Sequence, residues 1–179
     1  MPFRKFWFPI RVTYGRVLIL KKFLDNKDVK NFVPLIRKIK IVDDKPVIKL
    51  VPAINNYIFV FCSTSRVQEL KQELEEQIPI RFLYDPITKK PQIIRKKEME
   101  DFILVAGSLD EQLVYLKPDE INLSKGDRVK IIEGPFKGVE GPFIRIKGDR
   151  RVVVAIEGLM AVATTFIHPS LIVPLNKKN

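Results

Sequence analysis

Few residues of this chain could do chemistry beyond binding. There is one cysteine, Cys62, and one histidine, His168. A disulfide within the chain is impossible, and a Cys/His zinc site, which needs about four ligands, is excluded. A Ser–His–Asp triad would have to be built on His168. That residue sits in Phe166-Ile167-His168-Pro169, with no nucleophile motif around it, and reads as a turn histidine before a proline. Cys62 ends an apolar run and reads as a core side chain. With no paired acid and base elsewhere, the residue types speak against common hydrolases and metalloenzymes. Neither cofactor nor metal is expected.

The sharpest local signal lies in residues 125–141. A turn glycine, Gly126, opens a strand in which Val129 and Ile131 point to one side. Gly134-Pro135-Phe136 turns the chain, and Gly138 and Gly141 let it return tightly. The segment lacks the Gly-Lys-Ser/Thr end of a phosphate-binding loop and is flanked by strands rather than a helix. Its spacing resembles the KOW motif of NusG-type transcription factors and several ribosomal proteins.

The elements that must position these residues follow from periodicity. Residues 6–12 read as a strand, which Pro9 pushes toward a sheet edge or a bulge. A helix is expected over about 14–26, with Val17, Leu20 and Leu24 at helical spacing. A strand pattern begins at residues 31–35 and runs through Ile36, Ile39 and Ile41. It turns at Asp43-Asp44-Lys45-Pro46 and returns through 47–51 as a hairpin. Residues 57–62 are apolar on both faces, as in a central buried strand. Ser63-Thr64-Ser65 offers N-caps for a helix through Gln77, striped by Val67, Leu70, Leu74 and Ile78. Short strands over 80–84 and 92–94 and a helix over about 96–105 complete an α+β layer, helices on an antiparallel sheet.

Residues 108–122 lack a clear period and read as a partly packed connection, because Leu113, Val114, Tyr115 and Leu116 are too apolar for a free linker. Beyond them, glycines 126, 134, 138, 141, 148 and 158 punctuate β-branched runs. About five short strands in that space make a small β-barrel. The expected organisation is an N-terminal domain over 1–106, a linker over 107–123 and a KOW barrel over 124–179.

Net charge is +11. Residues 1–118 carry 22 basic and 14 acidic side chains, net +8, and residues 119–179 carry 10 and 7, net +3. Such an excess favours polyanions: nucleic acid, an acidic protein face or anionic lipid. The longest apolar run is residues 57–62, far short of the roughly 20 residues of a membrane span. With no secretory signal pattern at the start, a cytoplasmic monomer without membrane association is the expectation.

Trp7-Phe8, Gly15-Arg16-Val17, Phe32-Val33-Pro34, Asn56-Tyr57-Ile58-Phe59-Val60 and Pro79-Ile80-Arg81-Phe82 resemble the N-terminal domain of NusG in order and spacing. The likeness runs through Gly134-Pro135-Phe136 to the C-terminus. Residues 146–154 and 165–172 look like the specialised subgroup that includes RfaH and especially the UpxY proteins, which act on capsular-polysaccharide operons of gut bacteria. The resemblance implies a transcription elongation and antitermination factor. Its N-terminal domain would dock on RNA polymerase through Ile54, Tyr57, Phe59 and Phe82 and suppress pausing. Ser63, Thr64 and Ser65 lie where RfaH carries a polar triplet that reaches the second polymerase lobe, although a helix N-cap explains them as well. Arg11, Tyr14, Arg16, Lys21 and Lys22 lie where RfaH reads the exposed non-template DNA strand; basic groups would hold the backbone and an aromatic plane a base. Nascent RNA is the other nucleic acid at hand.

In general NusG a barrel loop carries Ile-Phe-Gly, whose aromatic inserts into termination factor Rho or a ribosomal protein. Here the matching loop is Ile156-Glu157-Gly158-Leu159-Met160. A carboxylate is costly to bury in an apolar pocket, so Glu157 speaks against Rho and suits an antiterminator. Leu159 and Met160 would offer a modified apolar contact. The run Val152-Val153-Val154 with Val162, Thr164 and Thr165 favours a stable β-barrel over the helical refolding known in RfaH. The rival reading is a KOW-containing ribosomal or ribosome-assembly protein that binds RNA.

Overall fold

The computed structural model describes residues 4–13, 15–120 and 126–175. Its fold is α+β. In chain order the first elements are β1 (Lys5–Val12), α1 (Val17–Asn26), β2 (Asn31–Phe32), β3 (Leu35–Val42), β4 (Lys45–Pro52), β5 (Tyr57–Ser63), α2 (Thr64–Leu74) and β6 (Ile80–Phe82). Then come α3 (Lys96–Ala106), β7 (Val114–Leu116), β8 (Arg128–Ile131), β9 (Glu140–Ile146), β10 (Asp149–Ile156), β11 (Met160–Ala163) and β12 (Ile172–Pro174). The described residues fall into two compact units. One comprises the chain up to Leu35 together with Leu50–Lys96; the other comprises Ile36–Lys49 together with the chain from Lys97 onward. Among the described residues no helix is long and apolar enough to cross a membrane.

In the first unit four antiparallel strands run in the order β2-β5-β1-β6. Strand alternation sends Phe8, Ile10 and Val12 of β1 and Ile58, Val60 and Cys62 of β5 to one face. There they form one core with Val17, Leu20 and Leu24 of α1 and Val67, Leu70 and Leu74 of α2. The two helical stripes and the doubly buried β5 are as the periodicity predicts. Helix α1, however, starts at Val17 rather than near residue 14. Gly15 sits at φ +67°, a left-handed conformation that cannot continue a right-handed helix. Tyr14 lies outside the described residues.

Pro9 does not push β1 to an edge, because β1 is flanked by β5 and β6. The Val12 N–H points toward the β5 side, to the Asn56 carbonyl at 2.8 Å. By alternation, position 9 faces the β6 side. The β6 ladder begins only at Ile10, so the missing donor of Pro9 falls beyond its end.

The second unit holds a six-stranded antiparallel sheet in the order β12-β8-β9-β10-β11-β7. Val114–Leu116, within the stretch read as a connection, forms β7 and pairs with β11. Three residues are too few to show a period, although their apolar character signalled packing. Gly141 of the KOW-like segment has a packing reason. A Cβ there would collide with the Val153 carbonyl oxygen of β10. Helix α3 is tied to the same unit by Asp101, whose buried carboxylate accepts from Lys97 Nζ at 2.6 Å and from the Glu140 N–H at 3.2 Å. Arg151 is buried and donates to the carbonyls of Gln112 at 2.6 Å and Thr164 at 2.8 Å.

The hairpin β3–β4 is a two-stranded sheet of its own. Its turn residues Asp43 and Asp44 both adopt left-handed backbone, φ +49° and +58°. This is the two-residue turn that matches strand twist, and Asp tolerates it.

Candidate functional site

The residues singled out for docking divide between the two faces of the first sheet. Tyr57 and Phe59 lie on the face opposite α1 and α2. Phe82, opposite Ile10 in register, lies on the helical face, partly buried against the core with Lys71 Nζ 5.8 Å above its ring. Phe59 is fully buried, so it supports the surface from beneath. Ile54 and Tyr57 are half-buried and remain reachable. Between them Asn56 takes φ +78°, which bends the chain into β5.

Register brings together residues that are distant in sequence. Tyr57 of β5 is directly opposite Arg11 of β1, and Arg11 is directly opposite Arg81 of β6. Directly opposed residues share a face. A phenol and two guanidinium-bearing side chains therefore form one row across three strands. Like charges directly opposite each other destabilise a sheet, and no acid among the described residues pairs with either arginine. An anion seated between them would relieve that repulsion. Arg81 was not recognised as a site residue from the sequence, because only the β1–β6 register brings it beside Arg11.

The remaining basic candidates are less free. Arg16 Nη1 donates to the Gln77 carbonyl at 2.9 Å, and Lys21 Nζ pairs with the Asp25 carboxylate at 3.0 Å. Asn31 and Lys21 together hold the Asp25 carboxyl below the usual range. Lys22 is exposed on the outer face of α1. Ser63 is the N-cap of α2 and accepts the Arg66 N–H at 3.2 Å, with Ser65 Oγ 3.0 Å away; Thr64 and Ser65 are exposed.

In the loop between β10 and β11, Ile156, Leu159 and Met160 are core side chains, so Leu159 and Met160 do not present an apolar contact to a partner. The exposed tip is Glu157-Gly158. The Glu157 N–H donates to Glu98 Oε1 at 3.1 Å, which brings a second carboxylate to the tip. Cys62 is buried among the first core, and burial pushes its thiol up to about 11. His168 caps a short 3-10 turn, its Nδ1 accepting the Ser170 N–H at 3.2 Å.

A NusG family model, described as transcription termination factor nusG, matches residues 5–103. The chain belongs to the NusG family. The match spans more than half of the chain and takes in the Arg11–Tyr57–Arg81 row, the Ile54 loop and Ser63-Thr64-Ser65. The chain is also similar to the large ribosomal subunit protein uL24 of Spiroplasma citri, 49% identical over 41 residues, which is 23% of this chain and 69% of that protein. Among solved structures it resembles a NusG of Thermotoga maritima determined for its domain interaction. That likeness has 22% identity and a TM-score of 0.45, over 94% of this chain and 96% of the other.

Proposed function

We propose that this NusG-family chain is a transcription elongation factor of the antiterminating kind, which binds RNA polymerase and suppresses pausing and termination. The observation that carries the reading is the family match over residues 5–103, because every docking candidate of the N-terminal part lies inside it. Polymerase binding is assigned to residues 1–106, through Ile54 and Tyr57, with Phe59 and Phe82 supporting the sheet behind them. Thr64 and Ser65 supply polar contacts beside the α2 cap. Single-stranded nucleic acid, the non-template strand or the nascent transcript, lies along Arg11, Tyr57 and Arg81, and Lys22, on the outer face of α1 behind the sheet, is not part of that row. Cations meet the backbone and the phenol offers a stacking plane. No catalytic step belongs to this function.

The exposed Glu157 beside Glu98 supports antitermination, since an apolar pocket on Rho would have to desolvate charge at the loop tip. The sequence resemblance to RfaH and UpxY proteins points to capsular-polysaccharide operons as targets. The experiment is an in vitro elongation assay on candidate leader DNA, with and without the protein. Longer pauses or unchanged read-through in its presence would refute the reading. One observation favours a second reading, the similarity to uL24. Retention of the protein on ribosomes but not on core polymerase would select that ribosomal alternative.

A further inference from the structure

The hairpin β3–β4 has two unlike faces. The two-residue turn places Val42 opposite Lys45, and the Ala53 N–H to Pro34 carbonyl bond of 2.8 Å keeps the same register at the base. Ile39 is then opposite Ile48, Ile41 opposite Pro46 and Arg37 opposite Leu50, all on one face. Lys38, Lys40, Lys45 and Lys49 share the reverse face. On the first face Ile39 is 72% exposed, Ile41 68%, Ile48 66% and Leu50 44%. Single exposed aliphatics are ordinary, but a contiguous strip of four is a mark of an interaction surface. A two-stranded hairpin is also marginal in water without a cover for its apolar face.

The mode and the partner follow from the surrounding groups. Pro46 and Pro52 lie in β4, and lysines flank both strands, which blunts the edges against strand addition. Docking therefore uses the face. Arg37 stands on that face and four lysines lie behind it, none of them hydrogen-bonded or ion-paired among the described residues. The only acids of the hairpin are Asp43 and Asp44 in the turn. A second copy of this chain docked face to face would set Arg37 against Arg37, with the lysines of both arms behind them and no acid to meet them beyond the turn. An apolar protein patch with an acidic rim complements the arm.

We propose that the Ile39–Ile41–Ile48–Leu50 face is a second anchor on RNA polymerase, seated on an apolar patch rimmed by carboxylates. The proposal rests on the reading of this chain as a polymerase-binding factor. The test uses the full-length chain and core polymerase free of nucleic acid. The variants are Ile39→Ser with Ile48→Ser, Val47→Ser on the lysine face, and Lys→Gln at 38, 40, 45 and 49 together. Melting temperature and circular dichroism are recorded for each.

The double Ile variant is expected to bind about tenfold or more weakly with an unchanged melting temperature. Val47→Ser, which also removes a β-branched aliphatic from the arm, is expected to bind as the parent does. The lysine variant is expected to lose a few-fold, and less at high salt. Parental affinity in the double Ile variant overturns the anchor while leaving polymerase binding intact. Equal losses in Val47→Ser and the double variant also overturn it, since the face would then not matter. A parent that does not bind polymerase overturns both readings. If the Ile variant is unchanged and the lysine variant alone loses affinity for a 20-base-pair duplex, the arm is instead a nucleic-acid contact.

Discussion

Ile54 and Glu157 are the two proposed contact side chains whose replacement would separate docking from folding. Ile54 is half-buried in the loop before β5, outside the core that joins the sheet to α1 and α2. Ile54→Asp should therefore cost about 1 kcal/mol of stability or less. At a desolvated interface an unpaired carboxylate costs far more, so affinity for core polymerase should fall about tenfold or more. Binding and melting temperature measured on the same preparation check this; a large drop in melting temperature would make Ile54 a core residue. Glu157 is at an exposed loop tip, and Glu157→Phe restores the Ile-Phe-Gly pattern of general NusG at 156–158. The variant should gain Rho in a pull-down from which the parent is absent, with stability changed by less than about 0.5 kcal/mol. Parental binding of Rho at the level of general NusG would sink the loop argument. Glu157 stands out in the sequence because one substitution in a short motif marks it, and its exposure fits a loop tip. The burial of Leu159 and Met160 was not, since a three-residue turn leaves no period to show which way they point.

At the scale of elements, legibility followed the length of the pattern. The stripes Val17-Leu20-Leu24 and Val67-Leu70-Leu74 repeat often enough to fix which face each helix buries, and Asp43-Asp44 announced its turn by residue type. Pro9 misled because its effect depends on where a neighbouring strand ends, a non-local fact. The Arg11–Tyr57–Arg81 row was invisible for the same reason, as three strands from separate parts of the chain build it. Two predictions belong here. Gly141→Ala places a Cβ against the Val153 carbonyl and should destabilise the second unit by about 1–3 kcal/mol, seen as a lower urea midpoint. A midpoint equal to the parent's would show that β9 and β10 can separate without cost. On α2, hydrogen bonds from Arg66 and then Lys27 hold the Glu73 carboxyl down at about 2, against an ordinary 4.5. A depressed carboxylate contributes stability above its unfolded value, and that contribution is lost as pH falls from about 4.5 through 2. Parent and Glu73→Gln should thus differ in melting temperature at pH 6 and converge near pH 2. A gap independent of pH would mean that the network acts through packing alone.

For the whole molecule the question is which stretch of chain carries polymerase binding. The docking loop, the arginine row and the α2 cap all precede residue 96, whereas the bonds from Asp101 to Glu140 and from Glu98 to Glu157 join α3 to the second unit. A fragment of residues 1–106 keeps every proposed docking group but leaves Asp101 and Glu98 without these backbone donors. It loses helix order at its end, not the β1–β5 pairing, which spans seven residue pairs from Lys5↔Ser63 to Arg11↔Tyr57. The expected outcome is retention of 1–106 on immobilised core polymerase with affinity within about tenfold of the full chain, a loss that the fraying of α3 can account for. Residues 107–179, which hold the six strands β7–β12 of the second sheet but none of the docking groups, should pass through the same column. Retention of 107–179 with loss of 1–106 would move the binding function to the KOW-like part. The Ile54 and Arg81 surface would then have to answer for something other than polymerase.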